Sequence, residues 1–197
     1  MPEHISQPIH FSLNGAPVST ACRADTTVLE FLRGEVGLRG TKEGCAEGDC
    51  GACSVLFAPS GGRTGSRSAA LQPANACILL MGQVEGGALF TVEGLANSAS
   101  NAGDSSHPVQ QHMAENGSSQ CGFCTPGIVT ALAGLLQSKP DPEDNDIHDA
   151  LAGNLCRCTG YRPIVEAALA AARDALPNLP AETEMPSARD AIPTSLQ

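Results

Sequence analysis

Eight of the nine cysteines in this sequence fall into two spaced sets, and cysteines grouped in this way are candidate metal ligands. Cys45, Cys50, Cys53 and Cys77 read C-x4-C-x2-C followed by a distant fourth member. That is the plant-type spacing of a [2Fe–2S] cluster. A binuclear cluster takes four thiolates around two irons, and a short loop can supply three of them from one side. The loop GCAEGDCGAC carries Gly44, Gly48 and Gly51. Glycine admits positive φ and lets the backbone come close to inorganic sulfide. Backbone N–H groups can then point at the sulfurs, offset their charge and tune the reduction potential. Cys77, within NACILL, would fasten the loop from a separate segment. A structural zinc site is the nearest rival, although zinc more often uses paired C-x2-C knuckles.

The second set is Cys121, Cys124, Cys156 and Cys158. A C-x2-C pair precedes one predicted helix and a C-x-C pair precedes another. The positive end of a helix favours thiolate over thiol, so two such ends could wrap one cluster. By spacing alone, a redox-active dithiol or a zinc site competes with that reading. Cys22 belongs to neither set and sits on a predicted strand, which fits a small buried apolar side chain. His4, His10, His107, His112 and His148 show no paired ligand spacing and are read as surface or structural residues. The acidic run Asp141, Glu143, Asp144 and Asp146 reads as a solvated helix start.

Composition narrows the setting. Hydrophobic residues make up 42% of the 197, enough for a packed core. With no Trp, one Tyr and five Phe, that core must be built from Ala, Val, Ile and Leu. A net charge of −10 is the wrong sign for binding nucleic-acid phosphates. The first ten residues lack a basic n-region followed by an apolar stretch, and no apolar run is long enough to span a membrane. A soluble, cytoplasmic protein is expected. An odd number of cysteines in a reducing compartment argues against disulfides and leaves metal ligation, catalysis or burial as small apolar side chains, between which spacing decides.

These ligands need elements to carry them. Ile9, Phe11 and Leu13 alternate with polar neighbours up to Asn14-Gly15, a hairpin signal, and Val18 and Ala21 to Cys22 are placed on the returning strand. Thr27 and Glu30 form a capping box ahead of an apolar face of Val28, Leu29, Leu32 and Val36, with Gly37 as the stop. Ser54 to Ala58 and Ala88 to Val92 read as strands, with an exposed loop from Pro59 to Ala70 between them. Helices are expected over Val109 to Glu115, Pro126 to Gln137, Glu143 to Ala152 and Pro163 to Leu176. Pro126 and Pro163 sit where a first-turn proline is tolerated. The fold class is α+β: a mixed β-grasp sheet over residues 1–96, a linker at 97–107, a four-helix bundle over 108–176 and a proline-rich tail at 177–197. No phosphate-binding loop and no nucleophile signature appears, so the chain reads as a carrier of electrons.

Together, GTKEGCAEGDCGACSV, NACILL, HPVQQHM with SQCGFCTPG, and LAGNLCRCTGYRPI resemble the iron–sulfur portion of the xanthine dehydrogenase family of molybdenum hydroxylases. The resemblance implies a plant-ferredoxin-like β-grasp domain whose cluster is held by Cys45, Cys50, Cys53 and Cys77. It implies a second [2Fe–2S] cluster in the four-helix domain on Cys121, Cys124, Cys156 and Cys158. Molybdopterin would lie on a large partner subunit, with Gln120 hydrogen-bonding the pterin and Cys158 the ligand nearest to it. Electrons from a purine-like heterocycle would pass through both clusters to FAD on another subunit or domain. The same role in an aldehyde, carbon monoxide, nicotinate or isoquinoline hydroxylase is the alternative, and a free-standing ferredoxin is another. A zinc-stabilised binding module without redox function is the reading of a different class.

Overall fold

The computed structural model describes residues 8–60, 70–98 and 106–174, together with Leu179. Strands β1 (Ile9–Leu13) and β2 (Ala16–Thr20) form the first hairpin. Asn14 and Gly15 turn it with φ of 53° and 82°, the left-handed pair that a two-residue turn requires. The returning strand stops at Thr20, so Ala21 and Cys22 follow it rather than extend it. Cys22 is nevertheless buried in the core.

Thr27 caps the next element reciprocally. Its hydroxyl accepts the N–H of Glu30 at 3.1 Å, and the Glu30 carboxylate accepts the N–H of Thr27 at 3.0 Å. One α-turn, α1 (Val28–Glu30), runs on as a π-helix over Phe31–Val36 and ends at Gly37 with φ of 80°. The sequence reads as an α-helix here. The wider turn keeps Phe31 and Leu32 buried while Arg33 reaches back to the carbonyl of Thr41 at 2.9 Å. Phe31 meets Phe11 edge-on, ring centres 5.8 Å apart.

Strands β3 (Ser54–Ala58), β4 (Gln72–Asn75) and β5 (Ala88–Phe90) complete a five-stranded sheet in the order β2-β1-β5-β3-β4. β1 and β5 are parallel and every other pairing is antiparallel. The apolar run SVLFA marks a strand covered on both faces. Val55 and Leu89 join Phe11 and the α1 residues in one core, whereas Leu56, Ala58, Ala88 and Phe90 face the other way. That second face lies against helices. They are α2 (Val92–Ser98), α3 (Pro108–Glu115), α4 (Thr125–Ser138), α5 (Asp144–Leu151) and α6 (Arg162–Ala171). One continuous core therefore runs from the sheet into the helices, with α4 packed on β3. Gly134 permits the close approach: a Cβ there would stand 2.7 Å from Leu56 Cδ2.

Two elements depart from the expectations above. Val92 opens α2 instead of ending β5, and α2 reaches into the expected linker. Leu179, expected in a tail, is buried in the helical core, and its carbonyl accepts the Gln137 amide at 3.0 Å. Residues 61–69 of the expected loop, 99–105 of the expected linker and most of the expected tail lie outside the described residues. Among the described residues no helix is long and apolar enough to cross a membrane.

Candidate metal centres

The first cysteine loop is built by backbone geometry. Ala46, Gly48 and Gly51 have φ of 59°, 90° and 67°, so the chain winds tightly past each ligand position. Gly44 serves differently from the expectation drawn from its sequence. Its φ is ordinary, and a Cβ there would stand 2.7 Å from Cys50 Sγ. Hydrogen as a side chain is what lets the Cys50 sulfur approach. The N–H of Cys45 points at Cys50 Sγ at 3.4 Å and the N–H of Glu47 at Cys45 Sγ at 3.5 Å. Asn75 ties the loop down by donating to the carbonyl of Gly48 at 2.6 Å, and Ile78 packs over Gly48.

The thiols of this set sort into pairs. Cys45 lies against Cys50, and Cys53 lies against Cys77. The Glu47 N–H holds Cys45 down at about 7, with further help from Cys50. Burial pushes Cys53 up to about 11 and the neighbouring thiols add to it. Cys53 and Cys77 are buried, while Cys45 and Cys50 are half-buried.

The second set is assembled from two loops. Cys124 is the residue before α4, with Pro126 in the first turn, and Cys156 and Cys158 lie in the turn before α6. Ser118 donates to the carbonyl of Pro163 at 2.7 Å, which fastens the two loops together. Tyr161, at a φ of 67°, accepts the N–H of Cys156 and donates to the carbonyl of Asn154, each at 2.8 Å. Cys121 lies against Cys158 and Cys124 against Cys156. Burial and the Cys156 thiol raise Cys124 to about 12. The Cys121 thiol pushes Cys158 up. For Cys156, burial acts upward but the Thr159 hydroxyl and nearby N–H groups outweigh it, and the thiol is lowered. Cys121 and Cys158 are exposed, as are Gln120 and the apolar side chains of Phe123 and Leu155.

Each set thus offers two pairs of thiols rather than one closed cage. Among the described residues, no group of three or more His, Cys, Asp or Glu is arranged to hold a single metal ion. A binuclear cluster asks only two protein thiolates of each iron, so the donor sets fit it. Cys22 stands apart, its N–H bonded to Thr20 Oγ1 at 3.2 Å and its thiol raised by burial. His107 is structural: it is buried, and its Nδ1 accepts the N–H of Val109 at 3.2 Å to cap α3. The acidic run does start a helix, with Glu143 capping α5 and Asp146 paired to Lys139 at 2.6 Å. Asn75, Asn154 and Tyr161 lie within the cysteine motifs but carry no metal-binding spacing of their own, so the sequence does not single them out.

The family described as "2Fe-2S iron-sulfur cluster binding domain" matches residues 11–81, and the one described as "[2Fe-2S] binding domain" matches residues 91–169. A xanthine dehydrogenase of Emericella nidulans is 47% identical over 161 residues, which cover 81% of this chain and 11% of that protein. Aldehyde oxidase 1 of Rattus norvegicus is 42% identical, covering 80% and 11% respectively. The chain therefore spans about a tenth of the length of these relatives. A chain of quinoline 2-oxidoreductase from Pseudomonas putida superposes with a TM-score of 0.70 at 33% identity, over 84% of this chain and 93% of that one.

Proposed function

Because this chain belongs to the xanthine dehydrogenase family of molybdenum hydroxylases, whose iron–sulfur region it forms, we propose that Cys45, Cys50, Cys53 and Cys77 hold one of its two [2Fe–2S] clusters and Cys121, Cys124, Cys156 and Cys158 the other. The role of the chain is electron transfer, and each bound cluster supplies a site that takes up and releases one electron. The observation that carries the ligand assignment is the sorting of each set into two thiol pairs, one for each iron.

The chain's own residues bind, shield and tune. Cys53 and Cys77 put one edge of the first cluster inside the protein, where solvent is excluded. The N–H groups of Cys45 and Glu47 face sulfur and offset its negative charge. Residues 1–96 act as a plant-ferredoxin-like β-grasp unit, and 108–176 as a four-helix unit that shares its core with the sheet.

The partner face surrounds the second set. Cys121, Cys158 and Gln120 are exposed there beside Phe123 and Leu155, which are 48% and 61% exposed. Apolar side chains beside two exposed thiols suit a buried interface. We assign that face to a molybdopterin-bearing large subunit, with Gln120 directed at the pterin and Cys158 the nearest ligand. FAD resides on a further subunit or domain, the complex works in the cytoplasm, and its substrate is a purine-like heterocycle. Similarity to an aldehyde oxidase and a quinoline oxidoreductase supports a second reading, in which an aldehyde or another N-heterocycle is hydroxylated.

Iron and acid-labile sulfide per chain, with EPR of the dithionite-reduced protein, test the proposal. Two irons and two sulfides for each of two clusters, with two distinct signals, are expected. Stoichiometric zinc in an anaerobic preparation would overturn it.

A further inference from the structure

Thr159 stands in the turn that closes the second cysteine set, and its hydroxyl has two neighbours. It lies 3.1 Å from Cys156 Sγ and accepts the backbone N–H of Tyr161 at 3.2 Å. A hydroxyl has one proton and two lone pairs. Tyr161 occupies one lone pair, which leaves the other lone pair and the proton for sulfur. A Cys156 that ligates iron has no proton of its own to give, so the direction of this bond is fixed: oxygen donates and sulfur accepts.

The turn is held so that this geometry persists. Tyr161 closes it by accepting the N–H of Cys156 and donating to the carbonyl of Asn154. The Cys156 N–H is thereby committed elsewhere. Backbone N–H groups of Thr159 and Cys158 also face the Cys156 sulfur, as N–H groups face Cys45 and Cys50 in the first set. No substitution removes those, whereas the Thr159 hydroxyl is a side-chain donor that can be removed. A reduced cluster carries one more negative charge than an oxidised one. A donor aimed at a ligand sulfur therefore stabilises the reduced form more and raises the potential.

We propose that Thr159 donates a hydrogen bond to the ligand sulfur of Cys156 and so sets how readily the second cluster accepts an electron. This rests on the reading above that Cys156 is a cluster ligand.

The test is a redox titration followed by EPR on the full chain, with iron counted in each sample. Thr159→Val keeps the shape and removes the donor. The expected result is a shift of one cluster to lower potential, with severalfold less of it reduced at a fixed poise, while the other cluster stays put. A tenfold loss would correspond to 59 mV for one electron. Thr159→Ser should restore the wild-type value, and Thr159→Ala should behave like Val. Full iron with unshifted potentials in both Val and Ala variants would overturn the proposal. Loss of the second cluster in both would also overturn it, leaving Thr159 a residue that merely builds the turn. Wild-type protein with iron for a single cluster would instead sink the ligand assignment itself.

Discussion

The backbone N–H of Leu155 donates to the carbonyl of Cys50 at 3.0 Å, so the two cysteine sets are joined by one main-chain hydrogen bond. The next contact repeats the grip one residue over. Asn154 donates its side-chain amide to the carbonyl of Gly51 at 2.9 Å and reaches Ser54 Oγ at 3.3 Å. Consecutive residues before Cys156 thus hold consecutive residues at Cys50. On the proposed assignment of one cluster to each set, the spacing of the two redox centres is held by a main-chain bond and a buried side-chain amide.

Gly127 lies at the same junction. A Cβ there would strike the carbonyl oxygen of Gly51 and stand 3.2 Å from Ala52 Cα. Gly127→Ala must push α4 away from the first cysteine loop, a strain of about 1–3 kcal/mol. A lower denaturant midpoint and reduced iron retention are expected. A variant as stable as wild type, with full iron, would show that the junction yields.

Asn154→Ala removes a buried donor without adding bulk. The Gly51 carbonyl keeps the Ser54 hydroxyl at 2.8 Å and the Ser54 N–H at 3.1 Å, so the loss is partial. About 1–3 kcal/mol of stability should disappear in chemical denaturation. Asn154→Asp should be worse than Ala, because a carboxylate would face the Gly51 carbonyl. Equal midpoints for wild type and Asp would refute the role given to this amide.

Much of this architecture is legible in the residues. The Asn14-Gly15 turn, the Thr27–Glu30 capping box and the apolar β3 run each act locally, so local pattern suffices. The short-range members of each cysteine set, Cys45 to Cys53, Cys121 with Cys124 and Cys156 with Cys158, are legible as spaced motifs because that spacing is local. What is illegible is long-range. Asn154 and Gly51 lie 103 residues apart, and nothing in either neighbourhood announces the other. The continuation of α1 as a π-helix and the early start of α2 are settled by what Phe31 and Leu95 must bury, not by propensity. Gly44 looks like a φ-releasing glycine and proves to be a space-clearing one.

His107 gives the fold an acid-sensitive point. Burial lowers it from the usual 6.5 to about 4. In that window the unfolded chain binds a proton that the folded chain resists, so stability is complete above the upper limit and falls as pH drops through the window. The total is about 3 kcal/mol. His107→Asn should keep an acceptor for the Val109 N–H, since Asn caps helices well, while removing the titration. Stability measured against pH should therefore slope for wild type and flatten for the variant over that range. Parallel curves would assign the acid sensitivity to other groups.

Cysteine substitution separates ligands from bystanders within one protein. Cys53 is paired with Cys77 in the buried half of the first set, and serine in its place offers a harder, less readily deprotonated donor. Cys53→Ser should abolish or distort one EPR signal and spare the other, because the second set draws on different loops. Cys22 is buried in the same apolar core as Cys53 and Cys77, yet its thiol is shifted by burial, Thr20 and Glu35 rather than by another thiol. Cys22→Ser should leave both signals and the full iron content in place. Its cost should be confined to stability, about 1–3 kcal/mol for a hydroxyl set into an apolar site. If Cys22→Ser removed either cluster, the assignment of eight ligands in two sets of four would have to be redrawn, since a ninth thiolate has no place on either pair of irons.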